Sequence, residues 1–185
     1  MKKTIPVIVE TPQGCRNKLA FDFELGMLRL TKVLPAGFEF PFNFGSIPGT
    51  RADDGDPLDV LLFMDDPVPA GTLLAARPIG VLEAEQREKG GKTERNDRVV
   101  GVAVESGGPT FRTVEDIEPR KRKEYEGFFE AYDAQTGKRF RGLGWFGPSR
   151  AWALIRRARK KYRPPARVAR LPRTYKGFAA AAEED

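Results

Sequence analysis

The first two thirds of the chain consist of short apolar or alternating runs separated by turn residues, a pattern that predicts β-strands. Aliphatic or aromatic residues fill every second position from Leu19 to Phe23, whereas other runs are almost continuously apolar. The expected strands occupy 5–10, 19–23, 27–34, 38–44, 60–64, 71–77, 79–85 and 99–105. The polar segment 86–98 contains two adjacent glycines and is expected to form an exposed loop.

The runs on either side of Gly26 predict a β-hairpin. In its second strand, Leu28, Leu30 and Val33 are expected to face inward. The strand at 38–44 contains Pro41 and is therefore expected to be an edge or irregular strand.

Helical spacing appears only late in the chain. Pro119 suits the first turn of a helix, and four aromatic residues then form a single apolar face. These residues are Tyr125, Phe128, Phe129 and Tyr132. A second helix is expected from Ser149, with Trp152, Ile155 and Ala158 on one face, ending before Pro164. Many short strands followed by two helices predict an α+β fold that is mainly β, with helices packed on a small closed or sandwiched β-structure.

Composition excludes several classes of protein. Of the 185 residues, 40% are apolar and 31% are charged, which fits a folded domain and not a disordered chain. No apolar run approaches the roughly 20 residues that span a bilayer. The start lacks the apolar segment of a secretory signal, and Cys15 is the only cysteine, so we expect a cytoplasmic protein. Histidine is absent, which excludes His-based catalysis and His metal ligands.

Charge divides the chain unevenly. Residues 1–133 carry a net charge of −5, and residues 134–185 carry +11. We divide the chain into a domain at 1–162 and a basic, Pro- and Ala-rich tail at 163–185. The basic part could contact nucleic acid, polyphosphate or the acidic body of a neighbouring subunit, or form a solvated helix face.

Three carboxylates lie within six residues at Asp54, Asp56 and Asp59. Like charges at this spacing repel each other unless a cation lies among them, and hard oxygen ligands suit Mg²⁺, Mn²⁺ or Ca²⁺. Gly55 and Pro57 bend the backbone between them. A solvated acidic turn is the alternative.

This segment resembles the signature of the soluble family I inorganic pyrophosphatases. Its sequence at 54–60 is Asp-Gly-Asp-Pro-Leu-Asp-Val, and five further segments resemble the family in the same order. They are Val-Glu-Thr-Pro at 9–12, Phe-Pro-Phe-Asn-Phe-Gly at 40–45, Arg-Pro-Ile-Gly-Val at 77–81, Phe-Phe-Glu-Ala-Tyr at 128–132, and Gly144-Trp145, expected to form a turn. The resemblance implies a five-stranded OB-like β-barrel, hydrolysis of pyrophosphate with Mg²⁺ or alternatively Mn²⁺, and a homo-oligomer that is usually a hexamer in bacteria.

The resemblance also implies roles for individual residues. Asp56 would be the catalytic carboxylate beside the attacking water. Metal ligands would be Asp54, Asp59, Glu10 through water, and Asn96, or Asp97 after a one-residue shift. Substrate contacts would come from Lys18, Lys32, Arg98 and Tyr132.

Several positions depart from the family pattern. A supporting carboxylate is replaced by Ala20, a substrate arginine by Lys32, and two tyrosines by Phe40 and Phe44. Metal aspartates are replaced by Gln86 and Asn96, and substrate lysines by Arg98 and Asp133. The sequence therefore supports either a divergent pyrophosphatase or a weakened or inactive homologue that acts as a binding protein. A nucleic-acid-binding module that depends on the basic tail is the rival from another class.

Overall fold

The computed structural model of the protein describes residues 4–23, 25–88, 90–105 and 109–164. The predicted tail therefore lies outside the described residues from position 165 onward. The strands are β1 Ile5–Thr11, β2 Asn17–Asp22, β3 Met27–Val33, β4 Asn43–Ser46, β5 Asp59–Phe63, β6 Leu73–Glu88, β7 Thr93–Arg95, β8 Arg98–Ala103 and β9 Lys138–Phe146. The helices are a short 3-10 helix at Val114–Asp116, α1 at Pro119–Ala134 and α2 at Pro148–Lys161.

A closed ring of strands forms the centre of the fold. Neighbouring strands pair in the order β1-β4-β5-β8-β6, and β6 pairs back onto β1. Only β5 and β8 are parallel in this ring; the other pairs are antiparallel. The predicted mainly-β fold with a five-stranded barrel and two helices is confirmed. Only positions 43 and 44 of the strand expected at 38–44 belong to a strand, and β4 lies inside the ring instead of at an edge.

One long strand replaces two predicted strands and part of the predicted loop. β6 runs unbroken through Pro78 and pairs with β8 there, with a bulge between Pro78 and Gly80. Its second half extends beyond the ring and pairs with β7 and β9. Gly144 and Trp145 lie within β9, so the turn expected at this pair is wrong.

The hairpin of β2 and β3 is confirmed, but of the three residues expected to face inward only Leu28 is partly buried, and the prediction for Leu30 and Val33 is wrong. Leu30 and Val33 are 53% and 56% exposed. A bulge between Lys18 and Leu19 shifts the register, so that Lys18 pairs with Lys32 and Leu19 with Leu30. An extra residue in one strand reverses the side chains that follow it, which simple alternation does not anticipate.

Aromatic packing holds α1 against the closed ring of strands. As predicted, Tyr125, Phe128 and Phe129 are buried. The Phe128 ring lies 5.0 Å from that of Phe40 and 5.2 Å from that of Phe38. Rings at these separations contribute packing beyond their buried area. This contact holds the C-terminal half of α1 in place beside the hairpin.

The second helix packs on another part of the core. Ala151, Ile155 and Ala158 are fully or almost fully buried, together with Val60 and Leu62 of β5. Among the described residues, no helix has the length and apolar character needed to cross a membrane.

Candidate active site

A cavity of about 440 Å³ lies between the β2–β3 hairpin, the strand ring and α1. Its charged and polar lining residues are Glu10, Lys18, Arg29, Thr31, Lys32, Ser46, Asp54, Asp56, Asp59, Gln86, Asn96, Arg98, Tyr132, Asp133, Thr136 and Lys138. Every residue predicted from the sequence for catalysis, metal or substrate lines this cavity, with the exception of Asp97.

A tight loop presents two of the carboxylates. The amide of Ala52 donates to the carbonyl of Asp56 at 2.7 Å, and the amide of Asp56 donates to Asp54 Oδ1 at 3.1 Å. Gly55 has a φ of +96°, which glycine adopts without steric cost. The loop therefore has a defined shape, with Asp54 and Asp56 exposed at the cavity mouth.

The other two carboxylates lie deeper. Glu10 is 5% exposed, and its Oε1 accepts from the amide of Phe21 at 3.0 Å and from Ser46 Oγ at 2.8 Å. Burial raises the pKa of Asp59 to about 6, although the nearby charges of Lys18 and Arg98 lower it. The Asp59 carboxylate makes no hydrogen bond within the described part of the chain. A desolvated carboxylate without a donor is suited to a cation.

Lys18 lies against aromatic and acidic neighbours. Its Nζ is 4.0 Å from the centre of the Phe44 ring and 5.9 Å from that of Phe40. Burial lowers its pKa, while Asp59 and Glu10 favour the charged form. Phe44 thus contributes a cation–π contact where the family resemblance leads one to expect a tyrosine hydroxyl.

Arg98 is the most buried cation of the cavity. It is 2% exposed, and its guanidinium lies 4.0 Å from the Phe129 ring centre and 5.4 Å from that of Phe140. Burial lowers its pKa, whereas the charges of Asp59 and Asp133 raise it. Arg98 Nε and Asp133 Oδ2 are buried with no hydrogen-bond partner among the described residues.

An uncharged pair of side chains also lines the cavity. Asn96 Nδ2 donates to Gln86 Oε1 at 2.8 Å. Asp97 points elsewhere: its Oδ1 accepts from the amide of Ala84 at 3.1 Å and from Arg95 Nη2 at 2.8 Å. The one-residue shift that would bring Asp97 to the cavity does not occur, because these contacts hold its side chain on the other face of β6.

Lys32 and Tyr132 form a further contact. Lys32 Nζ lies 4.5 Å from the centre of the Tyr132 ring and 3.4 Å from the Tyr132 carbonyl oxygen. Burial raises the pKa of Tyr132 to about 12, so the phenol keeps its proton and can donate a hydrogen bond to an anion.

Sequence reasoning did not identify five of the polar or charged lining residues, which are Arg29, Thr31, Ser46, Thr136 and Lys138. Arg29 and Thr31 lie on the face of β3 that was expected to point away from the core. No pattern in the sequence indicates that this face lines a cavity. Lys138 follows Gly137, whose φ of +72° marks the turn between α1 and β9, but that turn by itself does not point to the cavity.

The acidic side chains of the cavity can bind a hard divalent cation only if water molecules complete its coordination. Among the described residues, no three Asp, Glu or Cys side chains lie close enough together to hold a metal ion directly. Mg²⁺ commonly keeps several waters and takes one or two carboxylates. Asp54, Asp56 and Asp59, which line the same cavity, meet that requirement, and the half-buried carboxylate of Asp59 makes no hydrogen bond within the described residues.

Carboxylates at one wall and several cations at the others define a site for a small anion accompanied by a divalent cation, built on a closed β-ring. Residues 7–163 match the family model described as inorganic pyrophosphatase. The chain belongs to the inorganic pyrophosphatase family.

The similarity to known proteins extends over most of this chain and over most of each relative. The chain is 33% identical over 160 residues to the inorganic pyrophosphatase of Synechocystis sp., covering 86% of this chain and 92% of that one. It is 36% identical over 156 residues to that of Geobacillus stearothermophilus, covering 83% and 90%. The crystal structure of inorganic pyrophosphatase from Thermus thermophilus superposes with a TM-score of 0.76 at 31% identity, over 86% of this chain and 91% of that one.

Proposed function

We propose that the protein hydrolyses inorganic pyrophosphate to two phosphates and uses Mg²⁺, with Mn²⁺ as the alternative metal. The observation that carries this proposal is a single cavity in which Asp54, Asp56 and Asp59 share the lining with Lys18 and Arg98. In a chain of this family, that arrangement suits a doubly anionic phosphoanhydride held between cations.

Each side chain has a defined task. Asp54 and Asp59 would hold the metal, and Glu10 would contact it through water. The bound metal would neutralise substrate charge and make a water acidic enough to attack near neutral pH. Asp56 at the cavity mouth would orient that water and accept its proton.

The remaining walls hold the substrate. Lys18, Lys32 and Arg98 supply positive charge to the phosphoryl oxygens, and Lys138 and Arg29 add to it. The Tyr132 hydroxyl would donate a hydrogen bond to an oxygen of the leaving phosphate and keep its proton. Asn96 contributes a neutral amide, so its side of the cavity binds phosphate by hydrogen bonding more than by metal coordination.

The test is phosphate release from pyrophosphate over a wide range of Mg²⁺ and Mn²⁺ concentrations. Asp56→Asn is expected to reduce release by about 10²–10³ or more. Asp65→Asn, which removes an exposed carboxylate outside the cavity, is the matched control and should leave the rate unchanged. Folded wild-type protein that releases no phosphate at any metal concentration would overturn the proposal.

A weakened homologue that acts as a binding protein is the second candidate. The neutral Gln86–Asn96 pair and the separated carboxylates favour it. It predicts that Mg²⁺ and pyrophosphate bind, as measured by calorimetry, while phosphate release stays at the level of the Asp56→Asn variant.

We further propose that the protein forms a homo-oligomer, of six subunits as the resemblance implies. We also propose that it is located in the cytoplasm. The exposed apolar side chains of Met27, Leu30, Val33, Leu73 and Val104 support an association surface. Light scattering during size-exclusion chromatography tests it, and a monomeric mass would overturn it.

A further inference from the structure

A second recess lies on the outer side of the carboxylate loop, at the C-terminal end of α2. We call it the α2 groove. It has a volume of about 610 Å³ and is lined by Arg51, Ala52, Asp53, Asp54, Gly55, Lys160, Lys161 and Arg163. Four cations and two carboxylates line it, so the groove carries an excess of positive charge.

Ion pairs within the fold neutralise only part of the positive charge of the groove. Asp53 pairs with Lys161 in the groove and with Arg157 outside it, the latter at 3.1 Å. Arg51, Lys160 and Arg163 have no carboxylate partner within the described part of the chain. Their positive charge therefore remains available to a ligand.

Interactions with the C-terminal end of α2 explain some of these cations but not all of them. Lysines in the last turn of a helix offset its negative end, which explains Lys160. Arg163 Nη1 donates to the carbonyls of Lys160 and Tyr162, both at 2.9 Å. Arg51, however, comes from the segment after β4, and its amide donates to the carbonyl of Ala158 at 3.1 Å, which fixes it beside the helix.

The residues that line the groove suit some polyanions better than others. Arginine and lysine bind phosphate oxygens well. Proteins that bind single-stranded nucleic acid add aromatic side chains on which bases stack, and none of the described residues that line the α2 groove is aromatic. The chemistry therefore favours a chain of phosphates that carries no bases.

The groove adjoins the catalytic cavity. Asp54 lines both, and Lys18, Lys32 and Arg98 are among the cations that line the cavity. A linear phosphate chain in the groove would follow these cations past Asp54 into the cavity. We propose that the α2 groove binds linear inorganic polyphosphate as an extension of the cavity; the extension rests on the proposed function.

The test is binding of long-chain polyphosphate, tripolyphosphate and pyrophosphate to the full-length protein in EDTA, which prevents hydrolysis. Wild-type affinity should rise with chain length and fall with salt. Lys160→Gln/Arg163→Gln should weaken long-chain binding about tenfold and reduce the salt slope by about one per removed cation. Arg156→Gln/Arg159→Gln removes the same charge from exposed positions of α2 outside the groove and should bind like the wild type.

Three results would overturn the inference: equal losses in both double variants, affinity independent of chain length, or a single-stranded RNA that binds as tightly and depends equally on the groove. Phosphate release from pyrophosphate with Mg²⁺, measured on the same proteins, separates the two proposals. The groove variant should keep the wild-type rate. Polyphosphate binding without pyrophosphate hydrolysis would overturn only the proposed function, whereas hydrolysis without groove-dependent binding would overturn only this inference.

Discussion

Asn96 Nδ2 donates a 2.8 Å hydrogen bond to Gln86 Oε1, and both side chains line the cavity that also holds Asp54, Asp56 and Asp59. Each amide group is hydrogen-bonded to the other, so neither of these two side chains offers negative charge to a cation. The family resemblance leads one to expect two metal-binding aspartates at these positions. We therefore expect fewer metal ions to bind beside this pair than the resemblance implies.

Restoring the carboxylates should restore metal binding. Gln86→Asp/Asn96→Asp is expected to bind at least one more Mn²⁺ per chain than the wild type, because two anionic oxygen ligands replace a neutral pair. Titration calorimetry counts the bound ions. Gln13→Asp/Asn17→Asp adds the same charge outside the cavity lining and should leave the count unchanged. An unchanged count in the cavity variant would contradict the prediction.

The raised pKa of Asp59 predicts an unusual pH dependence of stability in metal-free protein. Its folded pKa of about 6 lies above the usual value, so the native state binds more protons than the unfolded state between those two values. Stability should therefore fall as the pH rises through about 4 to 6. In EDTA at pH 8, Asp59→Asn should be more stable than the wild type by on the order of 2 kcal/mol, and below pH 4 the difference should disappear. Urea unfolding at both pH values measures this, and equal stability at pH 8 would argue against a desolvated Asp59.

Glu83 holds two arginines on the side of β6 opposite the cavity. It is 7% exposed and pairs with Arg150 and with Arg95 Nη2, the latter at 2.8 Å. These hydrogen bonds lower its pKa, Arg150 having the largest effect. Glu83→Gln should reduce the free energy of unfolding by about 1–3 kcal/mol at pH 7, and the loss should shrink as the pH falls through the folded pKa.

Glu85→Gln is the matched control for that change. Glu85 lies 3.8 Å from Arg141, whose side chain is 76% exposed, so the loss should stay below about 0.5 kcal/mol. Chemical denaturation at two pH values compares the variants. Equal effects of the two substitutions would show that the burial of Glu83 does not determine its contribution.

The phenol of Tyr132 should matter for rate more than for folding. Tyr132→Phe keeps the ring that packs 5.9 Å from Phe40 and removes only the donor to the substrate. We expect kcat for pyrophosphate to fall by about 10²-fold with little change in thermal stability. Tyr162→Phe, outside the cavity, should have no effect on rate. An unchanged kcat in Tyr132→Phe would remove this residue from the proposed substrate contacts.

The sequence by itself determined the family, the type of fold and the main acidic segment. Residues 54–60 combine three aspartates with a glycine and a proline, and local backbone chemistry is enough to bend such a segment into a loop. The aromatic face of α1 was predictable for the same reason, since helical spacing alone places Tyr125, Phe128 and Phe129 together. Site assignments for Asp54, Asp56 and Asp59 came from this local pattern and from the resemblance, and they remain predictions to be tested by mutation.

Only the tertiary structure decided what faces the loop across the cavity. In the β2–β3 hairpin, Arg29 lines the cavity and Leu30 is exposed, and the register shift beside Lys18 has no local sequence signal. Gln86 and Asn96 meet because the second half of β6 and the chain after β7 return to one wall, while Asp97 is drawn to the other face by Arg95. Local sequence fixes which groups a segment carries, but long-range strand pairing fixes which groups meet, because register is set by partners far away in the chain.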